Sequence, residues 1–345
     1  MSPLIQPYAD RHVHPNGPGD QRPTAIEIIQ DQGLVDRLAG VNMLITGCTS
    51  GIGIETARAL YLTGANVWIT ARDVAKGHAV ATELATDPTR PVEVLEMDLS
   101  SFESIRRAAD AFLSQTSKLN VLVLNAGIMM CPQGVTKEGH ELHFGTNHLG
   151  HFLLFQLLKS ALLAAATSKL PSRVISVSSS GHRIMSQPLD MDDLDFSKTA
   201  YDPMTAYARS KLANVYFANH LDRIYGTHHL HALSVHPGSI STNLAQYLQD
   251  SELYTSIQAD PTYQKQRKSV EQGAATTVWA AVGKEWNGKG GRYLENVGEV
   301  GPTAVTGLSW STGHSLLAYR PEDERKLWET SVKLTETSHQ LATPR

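Results

Sequence analysis

The chain has 345 residues, 41% of them apolar, and a net charge of only −4. That is enough apolar material for a sizeable core, and no basic block or acidic tail points to nucleic acid or a charged partner. Two cysteines, Cys48 and Cys131, cannot build a disulfide framework, so a reducing, cytoplasmic setting is expected.

The first residues are polar and rich in Pro and His, unlike a signal peptide. The most apolar long run, 152–166, contains Gln156, Lys159 and Ser160 and is shorter than the ~20 residues of a membrane helix. It reads as a helix buried in the protein or at a subunit contact, so no membrane span is expected. Fifteen histidines invite a metal reading, but His12 and His14, or His228, His229 and His231, lack partners at zinc-site spacing. No metal is expected.

Residues 1–38 show no alternation of strand and helix. Pro3, Pro7, Pro15, Pro18 and Pro23 mark an extended arm, and Thr24 with Glu27 three residues on is a capping-box signal for a short helix. The arm either wraps the domain or is partly disordered. From residue 40 strands and helices alternate. Strands are predicted at 41–45, 66–70, 92–97, 121–124, 173–178, 230–235 and 291–294. Helices are predicted at 54–62, 74–84, from Ser100 or Ser101 to 113, over 140–165 and over 204–225. The segment 121–124 is apolar throughout, as buried parallel strands are. The fold class is therefore α/β, doubly wound, with a parallel sheet of about seven strands and helices on both faces. Ligands of such sheets bind beyond the C-terminal strand ends.

The first of those ends carries Thr46-Gly47-Cys48-Thr49-Ser50-Gly51-Ile52-Gly53, between a strand and a helix. Glycines there allow a tight turn and close approach of a pyrophosphate to backbone N–H groups at a helix N-terminus. The second strand ends at Ala71-Arg72-Asp73, with Arg72 19 residues beyond Gly53. A guanidinium at that spacing suits a ribose 2′-phosphate, whereas a carboxylate would select NAD. The charge pattern favours NADP over NAD. Asp73 is the counter-reading, as a helix cap or a ribose ligand. Asp98, ending the third strand, either meets the adenine amino group or is a turn carboxylate.

Tyr207 and Lys211 stand four apart on a predicted helix and share one face. A free phenol has a pKa of about 10, and a fixed cation beside it lowers that value. It can then trade a proton with a carbonyl or alcohol oxygen. Ser178, Ser179 and Ser180 end the fifth strand, where a hydroxyl can hydrogen-bond the reacting oxygen.

With these in order, residues 40–300 resemble a short-chain dehydrogenase/reductase. The glycine loop, Asn125-Ala126-Gly127, Asn147, the serine cluster and Tyr207-x-x-x-Lys211 carry the likeness. Within the family the chain is most similar to the retinol-dehydrogenase-like and WW-domain-oxidoreductase-like branch. The resemblance implies a Rossmann domain over 39–335, a substrate lid at about 244–268 and a tail at 336–345. It implies Tyr207 as general acid/base, Lys211 lowering its pKa and holding the nicotinamide ribose, and Asn147 holding a relay water. Ser179 matches the family serine, with Ser178 as fallback. Cofactor contacts fall to Gly47, Thr49, Ser50, Gly51, Ile52 and Gly53 of the loop, and to Arg72, Asp98 and Leu99. Asn125, Ala126, Gly127, Pro237, Gly238 and Thr242 complete them, Asn125 mainly by tying strand ends together.

Two departures matter. Ile54 stands where branch members often carry a basic residue, so cofactor choice rests on Arg72. A polar arm replaces the N-terminal anchor of many retinol-type relatives, which weakens a retinoid substrate. The lid carries Tyr247, Leu248, Leu253, Tyr254, Ile257 and Tyr263, which fits a hydrophobic or aromatic carbonyl substrate or simple packing of an insertion. The expected function is an NADP(H)-dependent oxidoreductase of a medium-sized apolar carbonyl or secondary alcohol, in specialised metabolism. The rivals are a non-catalytic cofactor-binding sensor or scaffold and a cyclase. The family's dimer helices match 152–166 and the Tyr207 helix, which leaves homodimer and monomer open.

Overall fold

A computed structural model of the chain describes residues 3–305 and 310–337. Most of the expected tail at 336–345 lies outside the described residues. In chain order the elements are α1 (Ala25–Asp31), β1 (Asn42–Ile45), α2 (Ile52–Tyr61), β2 (Asn66–Ala71), α3 (Val74–Leu84), β3 (Glu93–Glu96), α4 (Phe102–Gln115) and β4 (Val121–Leu124). Then come α5 (Leu142–Phe144), α6 (Gly150–Ala165), β5 (Ser172–Val177), α7 (Pro203–Tyr225) and β6 (Leu230–His236). The chain closes with α8 (Glu252–Ala259), α9 (Pro261–Gln266), α10 (Val270–Val282), β7 (Arg292–Glu295), β8 (Gly298–Glu299) and α11 (Pro321–Leu334).

The sheet runs β3-β2-β1-β4-β5-β6-β7-β8, with every pair parallel except the last. Strand order reverses beside β1, which lies between β2 and β4. Ile45 is level with Ile69 on one side and Val123 on the other. The segments that follow these three strands therefore emerge together, at the place where open α/β sheets bind ligands. One apolar layer packs α1, α2 and α10 on the sheet, and the other packs α4, α6, α7 and α11.

Two differences from expectation have local causes, and one open reading is resolved. The sheet has an eighth strand, because Asn296 and Val297 both take positive φ (56° and 52°) and turn the chain back on β7. A β-branched residue rarely accepts that conformation, and no Asn-Gly pair announces the hairpin. Burial of Val297 in the core and its N–H bond to Thr276 Oγ1 (3.1 Å) hold it there. The helical stretch expected at 140–165 starts at Leu142, where Glu141 accepts from the N–H groups of His143 and Phe144, and contains a π-helical turn at Gly145–Leu149. Its apolar length alone would suffice to cross a membrane, but most of it is buried in protein. Finally, the arm lies along the domain. Thr24 and Glu27 close the capping box, Ile28 and Ile29 are fully buried, and Ile5 pairs its carbonyl with Glu299 N–H (2.7 Å).

The helix faces expected at a dimer contact are covered by the chain itself. Trp328 of α11 stacks on Phe217 and meets Phe152 edge-on at 5.0 Å. Glu324, fully buried, accepts from Asn219 Nδ2 (3.1 Å) and Arg223 Nε (2.8 Å) of α7.

Candidate active site

A cleft of about 360 Å³ opens at the C-terminal strand ends, and every expected site residue except Asn147 lines it. The glycine loop forms its floor. Gly47 has φ +73°, and a Cβ there would stand 2.7 Å from that of Ala126. A Cβ on Gly53 would meet Gly47 O at 2.3 Å. Asn125 Nδ2 donates to Thr46 O (2.9 Å) and Gly47 O (3.2 Å), tying β4's end to the loop.

Thr46 has a larger part than its place in the motif announces. Its hydroxyl accepts from Asn125 N (2.9 Å) and Ala126 N (3.0 Å), which leaves its proton for His151 Nε2 (2.9 Å). His151 Nδ1–H then faces Asn147 O at 3.0 Å. Full burial pulls this imidazole down to about 3 and keeps it neutral. Thr46 and His151 lie 105 residues apart. No local pattern links them.

Along the ribose side, Arg72 is exposed and forms no ion pair among the described residues. Asp73 turns away to cap α3, accepting from Lys76 N (3.1 Å), with Lys76 Nζ at 3.6 Å. This favours its cap reading. Asp98 Oδ1 accepts from Ser100 N and Oγ (2.9 and 2.7 Å), so one oxygen is spent on a turn while the residue still lines the cleft beside Leu99.

At the chemical end Ser178 and Ser179 separate. Ser178 Oγ donates to Lys211 O (2.7 Å) and is buried. Ser179 Oγ and the Tyr207 ring stand side by side in the cleft, a Cβ on Gly181 lying 3.3 Å from the one and 3.1 Å from the other. Ser179 Oγ also accepts from Gly181 N (3.0 Å). The Tyr207 ring packs edge-on to His143, which Glu141 Oε1 holds at 2.9 Å. Lys211 Nζ is 5.6 Å from the Tyr207 ring centre and donates to Val177 O (3.2 Å).

One expectation needs correction here. Burial pushes the Tyr207 phenol up to about 12, with the neighbouring Ser179 hydroxyl pulling it back only in part. Burial likewise pulls Lys211 down to about 8. The low dielectric penalises both charged forms, and the ammonium's bond goes to a backbone carbonyl rather than the phenol. The protein alone therefore keeps the phenol neutral. Asn147 is expected to hold a relay water, a role its side-chain contacts leave open. Its amide is committed: Oδ1 accepts from Ile128 N (2.9 Å), and Nδ2 donates to Ile128 O (3.0 Å) and Ser210 Oγ (2.9 Å). It braces the Asn-Ala-Gly turn against α7.

The Pro237–Gly238 turn and Thr242 close the far wall. Gly238 has φ +106°, and a Cβ would press on Lys268 at 2.8 Å. Thr242 Cγ2 sits 3.0 Å from where a Cβ on Gly51 would be, so the lid's first residues overhang the loop. Leu244 and Tyr247 carry the wall outward and are exposed.

Comparison with known proteins bears on this cleft. Residues 41–188 match the short chain dehydrogenase model. The short-chain dehydrogenase/reductase prx1 of Penicillium roqueforti is 43% identical over 344 residues, covering 98% of this chain and 99% of that one. The chain belongs to the short-chain dehydrogenase/reductase family. It is an oxidoreductase of that family. The WW domain-containing oxidoreductase of Gallus gallus is 39% identical over 83% of this short-chain dehydrogenase/reductase and 67% of its own length. A solved structure from Mycobacterium paratuberculosis, titled an uncharacterized protein, superposes with TM-score 0.65 at 33% identity over 88% of this chain and 96% of its own.

Proposed function

We propose that this protein moves hydride between NADP(H) and a carbonyl or secondary alcohol of a medium-sized apolar molecule, with Tyr207 exchanging the proton. The observation that carries it is one cleft lined by Ser179, Tyr207 and the buried Lys211 together with the glycine loop. The cleft fits a dinucleotide. Gly51 begins α2 at φ +64°, leaving the helix N-terminus uncovered by any side chain of its own. Arg72 stands at the rim with no ion pair among the described residues, and Asp73 is turned to the N-terminus of α3 and to Lys76.

Bound NADPH would supply the hydride to the carbonyl carbon. Ser179 holds the carbonyl oxygen, and Tyr207 gives it a proton as charge builds there. The Lys211 ammonium faces the phenolate that remains. The apolar substrate class is supported by Leu142, Leu244 and Tyr247 in the cleft wall. Protein mixed with NADPH and a panel of aromatic and medium-chain ketones consumes the nicotinamide absorbance. No consumption across the panel contradicts the reading.

Cofactor choice has its own test. A bidentate charged hydrogen bond is worth about 1.5–3 kcal/mol, so Arg72→Ala lowers kcat/KM for NADPH by about 10- to 100-fold. NADH turnover stays within about threefold, because the lost contact is to the 2′-phosphate. Equal loss with both cofactors contradicts the assignment.

We also infer a monomer, since α11 occupies the faces of α6 and α7. Sedimentation equilibrium gives the mass of one chain, and a stable double mass overturns this. The two free cysteines support the cytoplasmic assignment.

A further inference from the structure

The lid departs from the sheet at the Pro237–Gly238 turn and returns at Lys268. Its outer part is lightly held. No residue of α8 is buried, and Tyr247 and Leu253 are exposed. Tyr263 of α9 packs at a tilt against Trp310, ring centres 4.9 Å apart, and Trp310 Nε1 donates to Asp260 Oδ2 (2.7 Å).

The returning end is fastened far more heavily, by a residue of the N-terminal arm. Arg22 is 2% exposed. Its Nη1 donates to Gln266 O (2.8 Å), and its Nη2 reaches Lys265 O (3.4 Å), Gly17 O (3.1 Å) and Arg267 O. Its Nε pairs with Asp20 Oδ1 at 2.8 Å. The carbonyls of Lys265, Gln266 and Arg267 lie at the C-terminus of α9, where a helix has no N–H of its own to offer them. A cation is the favoured partner at that end. Gly17 N adds a bond to Lys265 O (2.9 Å). Gln272, on α10, joins the same knot through Gly19 N, Asp20 O and Arg22 O.

The knot is one step from the cleft. Lys268 N donates to Ser239 O (2.9 Å), and Lys268 Nζ donates to Pro237 O (3.3 Å) and Asn296 Oδ1 (2.9 Å). Ile240 and Lys268 pair as a parallel bridge, joining the lid's two ends beside the turn that lines the cleft.

We propose that the N-terminal arm is a positioning element for the active site: Arg22 anchors the root of the lid and so sets where the substrate wall stands. This rests on the carbonyl-reductase reading for its effect on KM, but not for its effect on lid motion. With Arg22 gone, the carbonyls of Gln266 and Arg267 lose their donor, Lys265 O keeps only Gly17 N, and Asp20 loses its ion pair. The lid root then opens while the glycine loop keeps its shape through the bonds of Asn125 to Thr46 O and Gly47 O.

The test uses the full-length protein and its Arg22→Ala, Arg22→Lys and Gly17→Ala variants. Gly17 has φ +96°, and a Cβ would lie 3.4 Å from Gln264 O, so alanine there strains the arm at one of Arg22's partners while leaving the guanidinium in place. Hydrogen–deuterium exchange of residues 253–267 is expected to quicken at least tenfold in Arg22→Ala, with the strands β1 to β5 within twofold. Arg22→Lys falls between, and Gly17→Ala moves the same way by less. NADPH binding, followed by nicotinamide fluorescence, stays within twofold. KM for whichever panel ketone is reduced rises fivefold or more. Lid exchange within twofold of the unsubstituted protein overturns the proposal, as does equal quickening throughout α2 and α10. If Arg22→Ala does not fold, Gly17→Ala decides in the same terms. The exchange readout needs no turnover, so a failed hydride-transfer reading and a failed anchor give different results.

Discussion

Replacing Tyr207 by Phe is expected to slow carbonyl reduction by about 10²- to 10⁴-fold, the range general acid catalysis commonly supplies. NADPH affinity should stay within twofold, because the Tyr207 ring stands beside Gly181 and His143 rather than against the glycine loop. The ring remains to fill its place against His143, so the fold has no reason to change. The pH profile carries the same chemistry. With the phenol held near 12 by burial, the proton donor is present across the neutral range. Lys211, held near 8, carries its charge below that value and loses it above. Reduction should therefore be level up to about pH 8 and fall beyond it, as the cation facing the new phenolate disappears. Alcohol oxidation needs the phenolate first and should rise from neutral pH. Initial rates of Tyr207→Phe and the unsubstituted protein from pH 6 to 10 check both statements. A variant with undiminished reduction rejects Tyr207 as the donor.

Trp328→Ala should destabilise the fold by about 3–5 kcal/mol, as large-to-small changes at buried aromatics do. Trp328 is 3% exposed and sits among Phe152, Phe155, Phe217 and Tyr225. Alanine leaves a cavity ringed by rigid aromatic faces that cannot collapse into it. It also loosens α11, whose second hold on α7 is the Glu324 pair with Asn219 and Arg223. The exposed face of α6 and α7 would then be apolar and unpartnered, and self-association at high concentration follows. Urea unfolding measures the first effect and light scattering the second. A loss under about 1 kcal/mol would mean that α11 is peripheral to the core.

What could be read in the sequence was local. Val-Leu-Val-Leu at 121–124 marked a strand buried on both faces, and β4 is that strand. Thr24 and Glu27 announced a helix start, and the capping box is closed. Tyr207 and Lys211 share a helix face because a four-residue step is just over one turn. What stayed hidden depends on residues far apart in the chain. Arg22 meets the carbonyls of 265–267 across more than 240 positions. Trp328 reaches helices that begin at Gly150 and Pro203. The hairpin at Asn296–Val297 uses a β-branched residue where propensity argues against one, and core burial overrides it. The phenol's pKa was misjudged for a related reason. Spacing told which groups share a face, but not that the ammonium would bond Val177 O and that both would lie out of water.

The most direct measurement is the fate of a labelled hydrogen. Protein, a ketone from the panel and NADPH deuterated at the transferable C4 position are incubated, and the alcohol is analysed by mass spectrometry and NMR. One deuterium on the carbinol carbon, with formation suppressed in Tyr207→Phe, is the predicted result. An alcohol that carries no deuterium, or that forms as fast without the phenol, contradicts the account.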